Sequence, residues 1–207
     1  VAEHRPRFAL ERRFGCRAAG QEFAVTHRPI NPTNLEHIPA FPNRAQDPAL
    51  VHAIIETPRD TRHKYAYEAT YGAFMLKQVL PEGLTWPYDY GFVPQTRADD
   101  GDPIDILNMT AEATFTGCLV QCRVLGIVRI RKDGIRNDRL IAAPQRHHGV
   151  SQPTDDWEDV SDMPEPIVEG IIRFLVEYSA EQGHDIVCKG VRSRKRALEA
   201  IEQTLLS

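Results

Sequence analysis

The run Cys118–Arg131, CLVQCRVLGIVRIR, decides the fold. Apolar and β-branched residues recur through it and no Pro interrupts it, so it reads as one long strand. Lys132-Asp133-Gly134 then supplies a turn, and Arg139–Ala143 reads as the returning strand. Upstream, Val51–Thr57 reads as a strand ended by Pro58. Lys64–Tyr67 and Ala73–Leu80 read as a hairpin with Gly72 near its turn, and Asp105–Met109 as a short strand. Downstream, Ile167, Ile171, Phe174, Leu175 and Tyr178 share one face of a predicted helix over Pro164–Ala180, entered through Ser161 or Asp162. Asp185–Val191 reads as a strand. Ser193 is the expected cap of a last helix whose Ala197, Leu198, Ile201 and Leu205 share a face. Strands first and helices gathered at the end predict a mainly β, α+β domain: a small antiparallel barrel with helices packed outside it.

The 207 residues, 42% of them hydrophobic, are enough for one domain with a buried core. The longest apolar runs are far too short to cross a bilayer. The net charge of -4 weighs against nucleic acid as a partner. Residues 1–48 hold 6 of the 15 Pro and no Lys, and read as an extended or partly disordered arm before a domain at 49–207. Leu35, Ile38 and Phe41 would let that arm pack along the domain. The Arg residues near the N-terminus precede no apolar core of a signal peptide. The four Cys are too few for a disulfide scaffold. Cys118 and Cys122 lie about 13 Å apart in an extended strand, so buried thiols of a reduced, cytoplasmic protein fit better than a metal pair.

The chemistry concentrates in Asp99-Asp100-Gly101-Asp102-Pro103-Ile104-Asp105, four carboxylates in seven residues. Their mutual repulsion is relieved when cations sit among them. Gly101 lets the backbone bend and Pro103 fixes the next φ. In an extended stretch Asp100 and Asp102 would point to similar sides. All-oxygen donors favour Mg²⁺ or Mn²⁺ over Zn²⁺. An EF-hand does not fit, because Asp105 stands where that loop needs Gly. The plain alternative is a solvated Asp-Gly turn.

The segment Asp100-Gly-Asp102-Pro-Ile-Asp105-Ile resembles the signature of the soluble family I inorganic pyrophosphatases, Asp-x-Asp-Pro-apolar-Asp-apolar. The likeness continues in order through Ile54-Ile55-Glu56-Thr57-Pro58, Lys64-Tyr65, Gly72-Ala73-Phe74, Trp86-Pro87-Tyr88-Asp89-Tyr90-Gly91-Phe92, Gly126, Arg139-Leu140-Ile141-Ala142 and the helix ending at Tyr178. The resemblance implies a five-stranded OB-like β-barrel with flanking helices. It also implies Mg²⁺-dependent hydrolysis of inorganic diphosphate and a cytoplasmic homo-oligomer, a hexamer if bacterial.

The resemblance further implies that Asp100, Asp102, Asp105 and Glu56 hold metal, that Asp102 is the general base, and that Lys64, Tyr90 and Tyr178 bind phosphate. Arg139 stands where the family has a phosphate-binding lysine, and Lys77 adjoins the hairpin position that is Gln78 here. Asn137 replaces a metal-binding Asp, for which Asp138 or Asp133 would compensate by a small shift. Ala66, Trp86 and Ser179 also depart from the pattern. Without the family, Glu56 and Lys64 would read as solvated strand residues, and Tyr178 as a core aromatic reaching the surface. His147 and His148 read as a polar loop and Trp157 as a loop anchor. Two other readings stand beside the first: a phosphohydrolase for another phosphoanhydride, and a non-catalytic barrel that binds a phosphorylated ligand.

Overall fold

The computed structural model describes residues 37–146 and 152–206. Among these residues, nine strands and two α-helices follow in the order β1 (Leu50–Thr57), β2 (His63–Glu68), β3 (Ala73–Val79), β4 (Asp89–Phe92), β5 (Asp105–Asn108), β6 (Leu119–Lys132), β7 (Ile135–Arg136), β8 (Arg139–Pro144), α1 (Glu165–Glu181), β9 (Ile186–Ser193) and α2 (Arg194–Thr204). No helix among the described residues is long and apolar enough to cross a membrane.

The expected five-stranded barrel is present. Its strands run β1-β4-β5-β8-β6, and the β6–β1 pairing closes the ring. The length of β6 makes closure possible: Leu119–Arg123 pairs with β1, Cys122–Val128 with β8, and Gly126–Lys132 with β9. Four of the ring pairings are antiparallel, while β5 and β8 run parallel, with Asp105 opposite Arg139. The predicted hairpin β2–β3 forms a separate two-stranded sheet beside the ring.

Strand β4 has no periodic signature in the sequence, because all four of its residues are buried. It can lie against β1 only because Gly91 lacks a side chain: a Cβ there would land on the Ile54 carbonyl. Along β5 and β8, successive side chains divide between two apolar clusters, as strand alternation requires. Ile106, Leu140 and Ala142 join Val124, Ile127 and Ile201 of α2. Leu107 and Ile141 join Trp86, Leu125, Ile171, Phe174 and Leu175. The face of α1 that the spacing predicts is therefore the one it buries.

The ends of the helices differ from expectation. Pro164, not Ser161 or Asp162, is the N-cap of α1. A 3₁₀ turn over Val160–Asp162 precedes it, capped by Asp159. Ser193 is the N-cap of α2, but its side chain makes no capping bond. Asp159 Oδ2 instead accepts from the Arg194 backbone N–H at 2.8 Å. One Asp thus serves two helix starts.

Residues 1–36 of the expected arm, with Leu35 and Cys16, lie outside the described residues, as do His147 and His148. Residues 38–48 form neither strand nor helix. Ala40 is buried, its carbonyl accepts from His52 N–H at 2.8 Å, and Phe41 packs on the first cluster. Trp157 packs on the second cluster, and its carbonyl accepts from Arg123 Nη1 at 2.6 Å.

Candidate active site

Four features of the barrel bring the acidic and basic groups together. The first is the parallel β5–β8 pair: with Asp105 and Arg139 opposite each other at the strand starts, Arg139 Nη1 reaches Asp105 Oδ2 at 2.6 Å. The second is a break in register where β1 meets β4. Ile55 pairs with Gly91 and Thr57 with Tyr90, leaving Glu56 as the extra residue. A bulge of this kind re-aims a side chain, and Glu56 Oε1 accepts from Tyr67 N–H at 2.6 Å on the neighbouring hairpin. The third is that hairpin, which brings Lys64 Nζ to 5.3 Å from the Tyr178 ring centre. The fourth is α1, whose last turns supply Tyr178, Ser179 and Gln182 to a cleft also lined by Lys64, Tyr90 and Arg139.

The acidic loop is a turn rather than an extended stretch. Gly101 sits at φ +94°, Gly101 N–H donates to the Ala98 carbonyl at 3.0 Å, and Ala98 N–H donates to the Asp102 carbonyl at 2.7 Å. Asp100 and Asp102 are exposed at its tip, and Asp102 N–H donates to Asp100 Oδ1 at 3.3 Å. Asp100 Oδ2 also accepts a close hydrogen bond from Asn137 Nδ2. The three aspartates of the motif therefore differ in setting. Two stand at the mouth, and Asp105 lies within, its side chain 20% exposed.

Burial sets the electrostatics. The Glu56 carboxyl is pushed up to about 8, first by burial and then by Asp105 and Asp102, although the Tyr67 N–H opposes this. Asp105 is raised by burial, against the pull of Arg139 and of the Tyr90 hydroxyl, which hydrogen-bonds it. Tyr90 is held far above the ordinary phenol range, chiefly by burial. Lys64 is lowered by burial, with Asp105 and Glu56 acting the other way. Burial also works against the charge of Arg139, yet Asp105 leads the groups that outweigh it and raise its pKa.

Several polar groups lack good partners. Among the described residues, the buried Asn137 Oδ1 and Trp86 Nε1 atoms find no hydrogen-bond partner. The Tyr178 hydroxyl makes no well-formed hydrogen bond, although the Gln182 amide is near enough to ease its ionisation slightly. Unpaired buried polar atoms are rare in folded proteins, and two of these three belong to residues that line the cleft.

The donor set fits a hard divalent cation in its chemistry. Glu56 holds its proton partly because Asp102 and Asp105 face it, which a cation among them would reverse. Asn137 Oδ1 is a further oxygen without a donor. Among the described residues, however, no three His, Cys, Asp or Glu side chains converge closely enough to enclose a metal. Arg139 engages Asp105 and Asn137 engages Asp100.

Two proposed metal ligands do not reach this place. Asp138, in the link between β7 and β8, points away from the cleft: Oδ1 accepts from Ile130 N–H at 2.9 Å and Oδ2 from Arg136 Nε at 2.6 Å. The two-residue link between β7 and β8 thus turns Asp138 away from Asn137, whose Nδ2 engages Asp100. Asp133 sits in the turn after β6 at φ +51° and accepts from Asp185 N–H at 3.0 Å, with His184 Nδ1 at 2.8 Å. Neither can compensate for Asn137. Lys77 is exposed on β3, does not line the cleft, and pairs with Glu68 at 3.0 Å.

The cleft also contains residues not anticipated from the sequence. Lys132 lines it, its pKa lowered by burial and then by Lys64 and Arg139. It lies two residues from Ile130 on β6, and both line the cleft. Gln182 donates to Gln78 Oε1 at 2.7 Å and ties α1 to the hairpin. Trp86 is wholly buried and packs on Tyr90, Phe174 and Tyr178 with ring centres 4.8, 5.1 and 4.9 Å away. It forms the apolar backing of the cleft.

Comparison with known proteins agrees with this architecture. The family model described as inorganic pyrophosphatase matches residues 53–207. An inorganic pyrophosphatase of Thermus thermophilus is 32% identical over 81% of this chain and 95% of its own. One of Haloferax volcanii is 32% identical over 76% of this chain and 88% of its own. The crystal structure of the Thermus thermophilus inorganic pyrophosphatase superposes with a TM-score of 0.72 at 33% identity, covering 83% of this chain and 96% of that one. The Helicobacter pylori inorganic pyrophosphatase gives 0.70 at 26% identity, covering 76% and 92%. The chain belongs to the inorganic pyrophosphatase family.

Proposed function

We propose that the protein hydrolyses inorganic diphosphate to two phosphates with a divalent cation, Mg²⁺ in the first instance. The observation that carries this reading is the junction at Asp105. There a buried carboxylate pairs with Arg139, accepts from the Tyr90 hydroxyl, and faces both Glu56 and Lys64. Positive groups for a phosphate and negative groups for a cation meet at one point.

In this reading Asp100, Asp102, Asp105 and Glu56 hold the metal. When bound, the metal supplies charge neutralisation for the diphosphate and acidity for the attacking water. Asp102 accepts the proton of that water: it is exposed at the loop tip, within the charge field of Glu56. Lys64, Lys132 and Arg139 bind the phosphoryl oxygens, with the Tyr178 hydroxyl as an additional donor that no protein group now uses well. Tyr90 orients Asp105 through its hydroxyl.

The domain is residues 49–207, acting in the cytoplasm as a homo-oligomer. Met75, Leu76, Val79, Phe115 and Leu119 are large apolar side chains left exposed, which supports self-association. Phosphate release from diphosphate, tripolyphosphate and nucleoside triphosphates, measured side by side with Mg²⁺ and with chelator, tests the proposal. Diphosphate should be hydrolysed fastest and only with metal. A nucleotide turned over faster than diphosphate would favour a different phosphoanhydride as substrate. Tight diphosphate binding without turnover would favour the non-catalytic barrel.

A further inference from the structure

We propose that the face of β6 and β9 opposite to Asn137 and Arg139 carries a second binding site, for a multiply charged phosphate anion. Arg129, Arg131, Arg136, Lys189 and Arg192 line a hollow of about 370 Å³ with Asp138 at its base. Five cations therefore face one carboxylate, in a chain whose net charge is -4. Like charges gathered in this way repel unless an anion lies among them.

Asp138 organises the cluster without neutralising it. Its side chain is 4% exposed, and one oxygen, Oδ2, accepts from Arg129 Nε at 2.9 Å and from Arg136 Nε at 2.6 Å. Its other oxygen is fixed by Ile130 N–H at 2.9 Å. Both guanidiniums are thus anchored by their inner edges, which leaves the outer Nη groups available to a ligand. A fixed guanidinium fork suits phosphate oxygens, because its geometry need not be ordered at binding. Arg192 gives its Nη atoms only to the Val191 and Lys189 carbonyls, at 2.8 and 3.0 Å, and so keeps its full charge. A second hollow of about 430 Å³ shares Arg129, Arg136 and Arg192 and adds Arg196, which pairs with Glu199 of the same lining at 2.7 Å. The two hollows adjoin at these three shared arginines, which suits a ligand with more than one phosphoryl group.

The site is separate from the cleft, with which the first hollow shares only Ile130. It is nonetheless mechanically close. Asp138 lies between Asn137 and Arg139, and Arg139 Nη1 donates to the Asn137 and Asp138 carbonyls at 2.9 and 3.2 Å. An anion that draws on Arg129 and Arg136 pulls on the segment that positions Arg139.

Calorimetric titration of the full chain in chelator, with tripolyphosphate and with adenosine triphosphate as probes, tests the site. Both should bind the wild type. The pair Lys189→Ala with Arg192→Ala should weaken binding at least tenfold, and Lys64→Ala, in the cleft, should leave it within twofold. Neither Lys189 nor Arg192 contributes to the cleft, so diphosphate hydrolysis without added nucleotide should stay within twofold of wild type. Should the double variant fold poorly, Lys189→Glu alone must weaken binding in the same direction. Equal affinity for the two probes identifies the phosphate chain as the ligand, and tighter nucleotide binding identifies a nucleotide; both support the site. Unchanged affinity in the β9 variants, loss in Lys64→Ala instead, or no binding to wild type would overturn it. These outcomes are read without turnover, so they stand apart from the proposed hydrolysis.

Discussion

Arg139 Nη1 lies 2.6 Å from Asp105 Oδ2 because β5 and β8 run parallel with these two residues in register. Both side chains are largely buried, at 15% and 20% exposure. Removing one member of such a pair leaves an uncompensated charge, at a cost of about 3 kcal/mol. Arg139→Ala should therefore lower Tm by several degrees as well as abolish phosphate binding in the cleft. A variant that melts like the wild type would mean that water screens the pair.

Glu56 predicts how the metal-free protein responds to pH. Its carboxyl is about 8 in the folded state, raised from 4.5 by burial and neighbouring carboxylates. Below the lower value both states are protonated, and Glu56 contributes nothing. Between the two values the folded state keeps the proton that the unfolded state releases, so stability falls as pH rises. Above about 8 the penalty is complete. Urea unfolding in chelator should show declining stability from about pH 5 to pH 8, and Glu56→Gln should flatten that slope. A wild-type slope of opposite sign would show that Glu56 is ionised throughout.

Gln78 and Gln182 join across the cleft at 2.7 Å without adding charge. Gln78→Arg would add a cation near the phosphate subsite. KM for diphosphate should fall by about tenfold, the effect of one charge-assisted contact of about 1.4 kcal/mol, with kcat changed less. An unchanged KM would show that this position does not face the substrate.

Gly91→Ala tests the barrel itself. The new Cβ would collide with the Ile54 carbonyl, which is backbone in a closed ring and cannot step aside. Overpacking of this kind costs about 1–3 kcal/mol or more. Thermal denaturation should show a marked loss of Tm, and a neutral outcome would contradict the close β1–β4 approach.

Much of the architecture was legible in the sequence, because long periodic segments declare themselves. The apolar run of β6 and the helical face from Ile167 to Tyr178 appear where their spacing predicts. Strand β4 was hidden, since a short segment buried on both faces has no alternation. The motif located the acidic loop but not its shape. Whether Asp138 or Asn137 faces the cleft depends on strand direction and register, and local spacing does not reveal the parallel β5–β8 pairing. Lys132 carries no sequence signal, because a lysine beside a turn reads as solvated until the end of α1 comes to line the same cleft.

The most direct test is the initial rate of phosphate release from diphosphate with Mg²⁺, for the wild type and Asp102→Asn. Asp102 is exposed at the loop tip, so the variant should fold and melt as the wild type does. Its kcat should fall by about 10²-fold or more, the usual contribution of a general base. Wild-type turnover in Asp102→Asn, or no phosphate release from the wild type with Mg²⁺, Mn²⁺ or Co²⁺, would contradict the account.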